Sequence, residues 1–190
     1  MQLIAERRVP LPPRPGQALR YDYEYRRHGV ANLFVFLDAH RAWRHVKVSE
    51  QKTALDFARC MQELAEVHYR DAALIRVVLD NFSAHKPAAL YQAFSPEHAR
   101  ALLKRLEFHY TPTHASWLNM VEIEIGVLNR QCLDRRIPDH HALQHEVAAW
   151  QPMRNAEGAR VRWMFNIEMA REKLRHAYPT PALESYEQAA

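Results

Sequence analysis

Two strand-sized apolar runs in quick succession limit this chain more than any other feature. NLFVFL, from Asn32 to Leu37, reads as a buried strand. A turn over Asp38 to Ala42 separates it from WRHVKV, Trp43 to Val48, whose alternation reads as a second strand. Strands that close predict an antiparallel hairpin, since a parallel pair needs a long crossover. Helical spacing follows. Leu55, Phe57, Ala58, Met61, Leu64 and Ala65 place a helix over Thr53 to Val67, with Ser49 or Thr53 as its cap. Next, LIRVVL, Leu74 to Leu79, is mostly apolar and ends in Asp80, which predicts a central strand covered on both faces. Strand, strand, helix, strand opens an α/β domain with a mixed sheet flanked by helices.

Pro87 starts a helix over Ala88 to Phe94, and Ser95-Pro96-Glu97 starts another through Arg105. EFHYT, Glu107 to Thr111, reads as a strand. Trp117-Leu118-Asn119 leads into a long helix from Met120 to Leu133, Pro138 closes that segment, and His140 to Trp150 forms a further helix. VRWMF, Val161 to Phe165, reads as a short strand, Glu168 to His176 as a last helix, and the tail after Pro179 as loose. The lead-in contains VPLPPRPG and is extended, so only Gln2 to Ala5 can end a strand there. The strand at 32–37 needs a neighbour on its other side, and the sheet's first strand is therefore expected to be missing or incomplete. The organisation expected is a lead-in over 1–30, a core over 31–136, a helical extension with a short strand over 137–178 and a tail over 179–190.

Hydrophobic residues make up 48% of the 190, enough for a packed core. No apolar run reaches the roughly 18 residues that span a bilayer. The first residues hold no apolar signal core, so a cytoplasmic protein is expected. Cys60 and Cys132 are far apart and read as buried thiols. Arginine dominates the basic residues, and its forked contacts to phosphate favour a nucleic-acid partner. The 12 histidines are mostly scattered singly, which argues against a histidine metal cluster.

Chemistry concentrates in two places. Asp80 sits directly after an apolar strand, where sites assemble in α/β sheets, although a turn aspartate beside Asn81 is the plainer reading. Glu122 and Glu124 lie early in the helix after Asn119, where the helix dipole alone favours acids. Two residues apart, they face different sides, and only one can point at a given site. Glu122 sits at the edge of an apolar stripe of Val121, Ile125 and Leu128. An aspartate after a strand and a glutamate on a later helix can converge on a divalent cation such as magnesium, which prefers oxygen ligands.

The stretch LDNFSAH … EFHYTPTHASWLNMVEIEIGVLNRQCLDRRIPD resembles the catalytic core of DDE transposases, within them the bacterial insertion-sequence group related to mariner elements. The likeness runs from QLIAERRVPLPPRPG to VRWMFNIEMAREKLRHAYP, and TPTHASWLNMVEIE is its most specific block. The resemblance implies an RNase H-like, retroviral-integrase-like fold in which three acids hold two magnesium or manganese ions. Asp80 matches the second acid and Glu122 the third, in the LN–x–x–E pattern, while the phase of Glu124 disfavours it. The first acid would lie in a strand just before Gln2, ahead of the start of this chain; Asp38 and Asp22 are poor substitutes. Asn81, His85, His114, Trp117, Asn119, Arg130, Arg135 and Arg136 are candidates for contact with DNA. The function implied is metal-dependent strand cleavage and strand transfer in insertion-sequence transposition. The partners implied are terminal-repeat and target DNA and further copies of the chain, as a homodimer or larger oligomer on the nucleoid. The alternative is a truncated, inactive fragment that binds DNA or partner subunits.

Overall fold

The computed structural model describes residues 1–173 and 175. The predicted hairpin is present. Strand β3 (Asn32–Asp38) pairs antiparallel with β4 (Trp43–Ser49), from Asn32 opposite Ser49 to Asp38 opposite Trp43. Alternation gives the hairpin two apolar faces. Phe34, Phe36 and Trp43 pack on one core, and Leu33, Val35, Val46 and Val48 on a second.

Helix α1 (Ala54–Glu63) covers the first face. Thr53 and Asp56 close its N-terminus reciprocally: the Asp56 amide donates to Thr53 Oγ1 at 3.2 Å, and the Thr53 amide donates to Asp56 Oδ2 at 2.9 Å. Phe57, Ala58, Cys60 and Met61 are buried along one side. The helix expected to reach Val67 instead widens into a π turn, Leu64–His68, closed by the Tyr69 amide on the Leu64 carbonyl at 2.9 Å. Strand β5 (Ile75–Leu79) then runs parallel to β6 (Leu106–Tyr110), with α2 (Ala88–Ala93) and α3 (Pro96–Leu103) between them. Ser95 caps α3, its hydroxyl accepting from the His98 amide.

The second face is covered by α4 (Val121–Leu128), which continues as a π turn, Asn129–Leu133, and by α5 (His140–Ala156), capped by Asp139. Leu128, Cys132, Leu143, Val147 and Trp150 fill that core. Helix α5 also protects the outer edge of β4. The Arg44 amide donates to Asn155 Oδ1 at 2.9 Å, Asn155 Nδ2 donates to the Arg44 carbonyl at 2.9 Å, and the Val46 amide donates to Gln151 Oε1 at 2.7 Å. A strand edge is thus satisfied by side chains rather than by another strand.

Several expectations change. The strands do not join in one mixed sheet: β1 (Gln2–Glu6) pairs with β2 (Tyr25–Val30), β3 with β4, and β5 with β6, as three two-stranded sheets. Strand β2 was not foreseen because YRRHGV is exposed at every position and carries no apolar alternation. Strand β5 is covered on one face only, with Ile75 and Leu79 buried but Arg76 and Val78 exposed. VRWMF, 161–165, forms no strand. Helix α5 runs past Trp150 to Ala156 in spite of Pro152. The last helix, α6 (Ile167–Lys173), begins one residue before the segment expected; His176 and the tail after Pro179 fall outside the described residues.

Candidate active site

A groove of about 1720 Å³ runs between the hairpin and the parallel pair. Every residue of β3 and every residue of β5 contributes to its lining, so each presents its non-paired edge to the same space. Asp80, His85, Asn119 and Glu122 line it as well.

Asp80 leaves the end of β5 half-exposed. Its Oδ1 accepts the Phe82 amide at 3.2 Å and lies 2.7 Å from His85 Nδ1. Among the described residues its Oδ2 accepts nothing, so half of the carboxylate is available to a ligand. The His85 ring is wedged against Phe57 and Phe82, with centroids at 4.9 and 5.2 Å. Imidazole so fixed orients Asp80. Asn81 turns the other way: its Nδ2 donates to the Thr111 carbonyl at 2.5 Å, which ties the end of β5 to the end of β6.

Asn119 connects the two acids. The Leu79 carbonyl accepts the Thr111 amide on the β6 side, so the Val78 carbonyl, one residue earlier, points to the open edge. There Asn119 Nδ2 approaches Val78 O at 3.5 Å, while Asn119 Oδ1 accepts the Val121 amide at 3.2 Å. The residue that starts α4 is thereby held at the strand that ends in Asp80. Glu122, one residue into α4, is exposed at the groove.

Glu124 has the opposite environment. It is completely buried, accepting Arg44 Nε at 3.0 Å, Arg44 Nη2 at 3.3 Å and Arg154 Nε at 3.1 Å. Arg44 is completely buried too and spends its other donors on the carbonyls of Ala42, Arg154 and Ala159. This clamp joins β4, α4 and α5. It sets the rotation of α4 that leaves Glu122 toward the groove. The buried line of α4 is Glu124 and Leu128, whereas Ile125, placed by sequence in an apolar stripe, is exposed. Sequence reasoning missed the clamp, but a signal existed. Arg44 shares the alternation phase of Val46 and Val48, so the strand pattern itself puts it on the covered face.

Asp38, also on the groove, is occupied by structure. Burial pushes its pKa up, but hydrogen bonds from the Tyr69 hydroxyl and from the Arg41 and His40 amides outweigh this and hold it below the ordinary range. The remaining DNA-contact candidates do not line the groove. His114 is exposed at a positive φ of 61°. Trp117 packs edge-on against Phe165 at 4.9 Å, with Lys173 Nζ 4.3 Å over its ring. Arg130 is exposed. Arg135 pairs with Glu146 at 2.9 Å, and Arg136 pairs with Glu6 at 2.7 Å while lying over the rings of Tyr21 and Tyr25.

A family model described as DDE superfamily endonuclease matches residues 2–144. The chain belongs to that family. The match takes in β1 through the start of α5, and so all the elements that form the groove's two strand edges, together with Asp80 and Glu122. Membership gives the chain a nuclease or transposase type of function, with DNA as the substrate the family implies. No curated protein and no solved structure matches the chain. Among the described residues no helix is long and apolar enough to cross a membrane.

Proposed function

We propose that this chain is a DDE transposase core that cleaves DNA strands with water and then joins a DNA 3′ hydroxyl to target phosphodiester, in insertion-sequence transposition. The observation that carries the reading is the placement of Asp80 and Glu122, from two elements 42 residues apart, on one open groove. Their oxygens suit magnesium or manganese: both are carboxylates, both reach solvent, and neither is consumed by an arginine. Bound there, two such ions would supply charge stabilisation for the attacking and leaving oxygens of phosphoryl transfer. The chain's own part is positional. His85 fixes the Asp80 carboxylate, Asn119 anchors Glu122 to β5, and the Arg44–Glu124–Arg154 clamp sets the phase of α4.

The groove also supports an RNase H-like reading. Its two free strand edges suit one more strand, and such a strand carrying an aspartate would bring the third acid beside the first two. Asp80 and Glu122 offer two negative charges against four positive charges on a pair of divalent ions. The 190-residue chain alone is therefore proposed to cleave poorly, since misplacement by about 1 Å costs roughly 100-fold. Catalysis is assigned to residues 31–136, with 137–178 as a helical extension. Work as a homodimer or larger oligomer on DNA belongs to the same proposal.

A strand-cleavage assay on terminal-repeat DNA with magnesium or manganese tests this. It compares the 190-residue chain, the chain extended at its N-terminus by a strand bearing an aspartate, and the extended protein with Asp80→Ala. Cleavage is expected only from the second. Robust cleavage by the 190-residue chain would refute the need for a third acid. Undiminished cleavage after Asp80→Ala would refute the catalytic assignment.

A further inference from the structure

On the α1 side of the hairpin, three side chains converge that the groove does not use. His45 comes from β4, Glu63 ends α1, and His68 ends the π turn. Their donor atoms all lie within 4.8 Å of one another. His45 Nε2 is 3.2 Å and His68 Nε2 3.6 Å from the same oxygen, Glu63 Oε1. Both nitrogens are buried, and neither has a well-aligned hydrogen-bond partner: each only faces that one carboxylate oxygen. Buried imidazole nitrogens without partners are uncommon and call for an explanation.

The π turn is what brings Glu63 and His68 together. In an α-helix, residues five apart are turned by roughly 500°, about 140° out of alignment. A π turn closes on the fifth residue, and the Tyr69 amide on the Leu64 carbonyl does so directly after Glu63. The ring of Trp43 then holds the imidazoles in place, stacked on His45 at 6.0 Å and tilted on His68 at 4.9 Å. Lys47 Nζ binds Glu63 Oε2, so the carboxylate offers Oε1 alone toward the histidines.

We propose that His45, Glu63 and His68 form a site for one zinc-like transition-metal ion, separate from the Asp80–Glu122 groove. Tetrahedral zinc bonded at about 2.0–2.1 Å sets its ligand atoms roughly 3.3 Å apart, and the two Nε2–Oε1 separations bracket that spacing. Two imidazoles and one carboxylate suit zinc, cobalt or nickel, whereas magnesium takes oxygen ligands. Three protein ligands leave a fourth position for water. The ion would bind β4 to the end of α1, and so brace the hairpin that forms one wall of the groove.

The test uses the full chain after treatment with a chelator. Titration with cobalt(II) is followed by visible d–d absorption, and titration with zinc by competition and by the melting temperature. The wild-type chain is expected to bind one equivalent of cobalt, to release it to zinc but not to excess magnesium, and to melt higher with zinc. His68→Gln and His45→Gln should each weaken zinc by at least about tenfold, with circular dichroism confirming that they fold. Asp80→Asn should bind zinc as the wild type does. Absence of both the cobalt spectrum and the zinc-dependent rise in the wild type would overturn the site, whether or not the variants fold. So would wild-type affinity in folded His68→Gln, or loss of zinc binding in Asp80→Asn, which would put the ion in the groove. A chain without the site would keep only the Glu63 carboxylate shared among Lys47, His45 and His68, with the two imidazoles tilted against each other.

Discussion

Two glutamates separated by one residue have unrelated physical roles. Glu122 is exposed at the groove; Glu124 is buried between two arginines. Removing one partner of a buried ion pair leaves an uncompensated charge and costs about 3–5 kcal/mol. Glu124→Ala and Arg44→Ala are therefore expected to lower unfolding stability by that order in denaturant titrations. Glu122→Ala should change it by no more than about 0.5 kcal/mol, as at an ordinary surface position. Equal costs at the two glutamates would show that the clamp is misassigned. Asp38 adds a pH effect. Its pKa is lower in the folded chain than the ordinary 3.8, so folding gains from its ionised form. That stability is present above the unfolded value and is lost as pH falls through the folded one. Tyr69→Phe removes the strongest of the opposing hydrogen bonds, and its unfolding curves should show a shallower loss of stability below about pH 4 than the wild type.

The elements were legible where local chemistry is complete in itself. Thr53 with Asp56, Ser95 with Pro96 and Asp139 before α5 are caps that act within one turn, and all three start helices close to where the sequence puts them. Thr53→Ala should cost about 0.5–2 kcal/mol, measured by thermal or denaturant unfolding, because the hydroxyl that accepts the Asp56 amide disappears while the backbone amide of residue 53 keeps its bond to Asp56 Oδ2. No loss would mean that packing of Phe57 and Met61 alone holds α1. Elements defined by distant partners were not legible. Strand β2 is polar and exists because β1 offers it an edge. The length of α5 exceeds its apolar pattern because Gln151 and Asn155 are engaged by the backbone of β4. The π turn after Glu63 has no sequence signature, and its consequence, two histidines on one carboxylate, contradicts the expectation that the histidines stay apart.

At the scale of the molecule, the chain is a hairpin and a parallel pair standing on either side of a groove, with one core shared between them and a second against the other face of the hairpin. Its net charge is only +4, and several arginines are committed to internal partners, among them Arg44, Arg105, Arg136 and Arg154. DNA affinity by this chain should therefore be weak and independent of sequence. Phosphate contacts release counterions, so the affinity should fall about 10-fold or more over a few-fold rise in salt. Binding measured by fluorescence anisotropy that is tight, sequence-selective and insensitive to salt would contradict this.

The sequence by itself determined the hairpin, the caps, the strand that ends in Asp80 and the separation of Glu122 from Glu124, because alternation, capping and helical phase act over a few residues. It also carried the family, through blocks whose residues match as text. The resemblance singled out Glu122, but what holds Glu124 away from the groove was decided by tertiary structure alone. That choice depends on Arg44 and Arg154, 80 and 30 residues from Glu124. It likewise decided that the strands stand as separate pairs around an open groove, and that His45 meets Glu63 and His68. Each of these is set by long-range packing, where a buried charge must find its partner and a strand edge must be satisfied or left open.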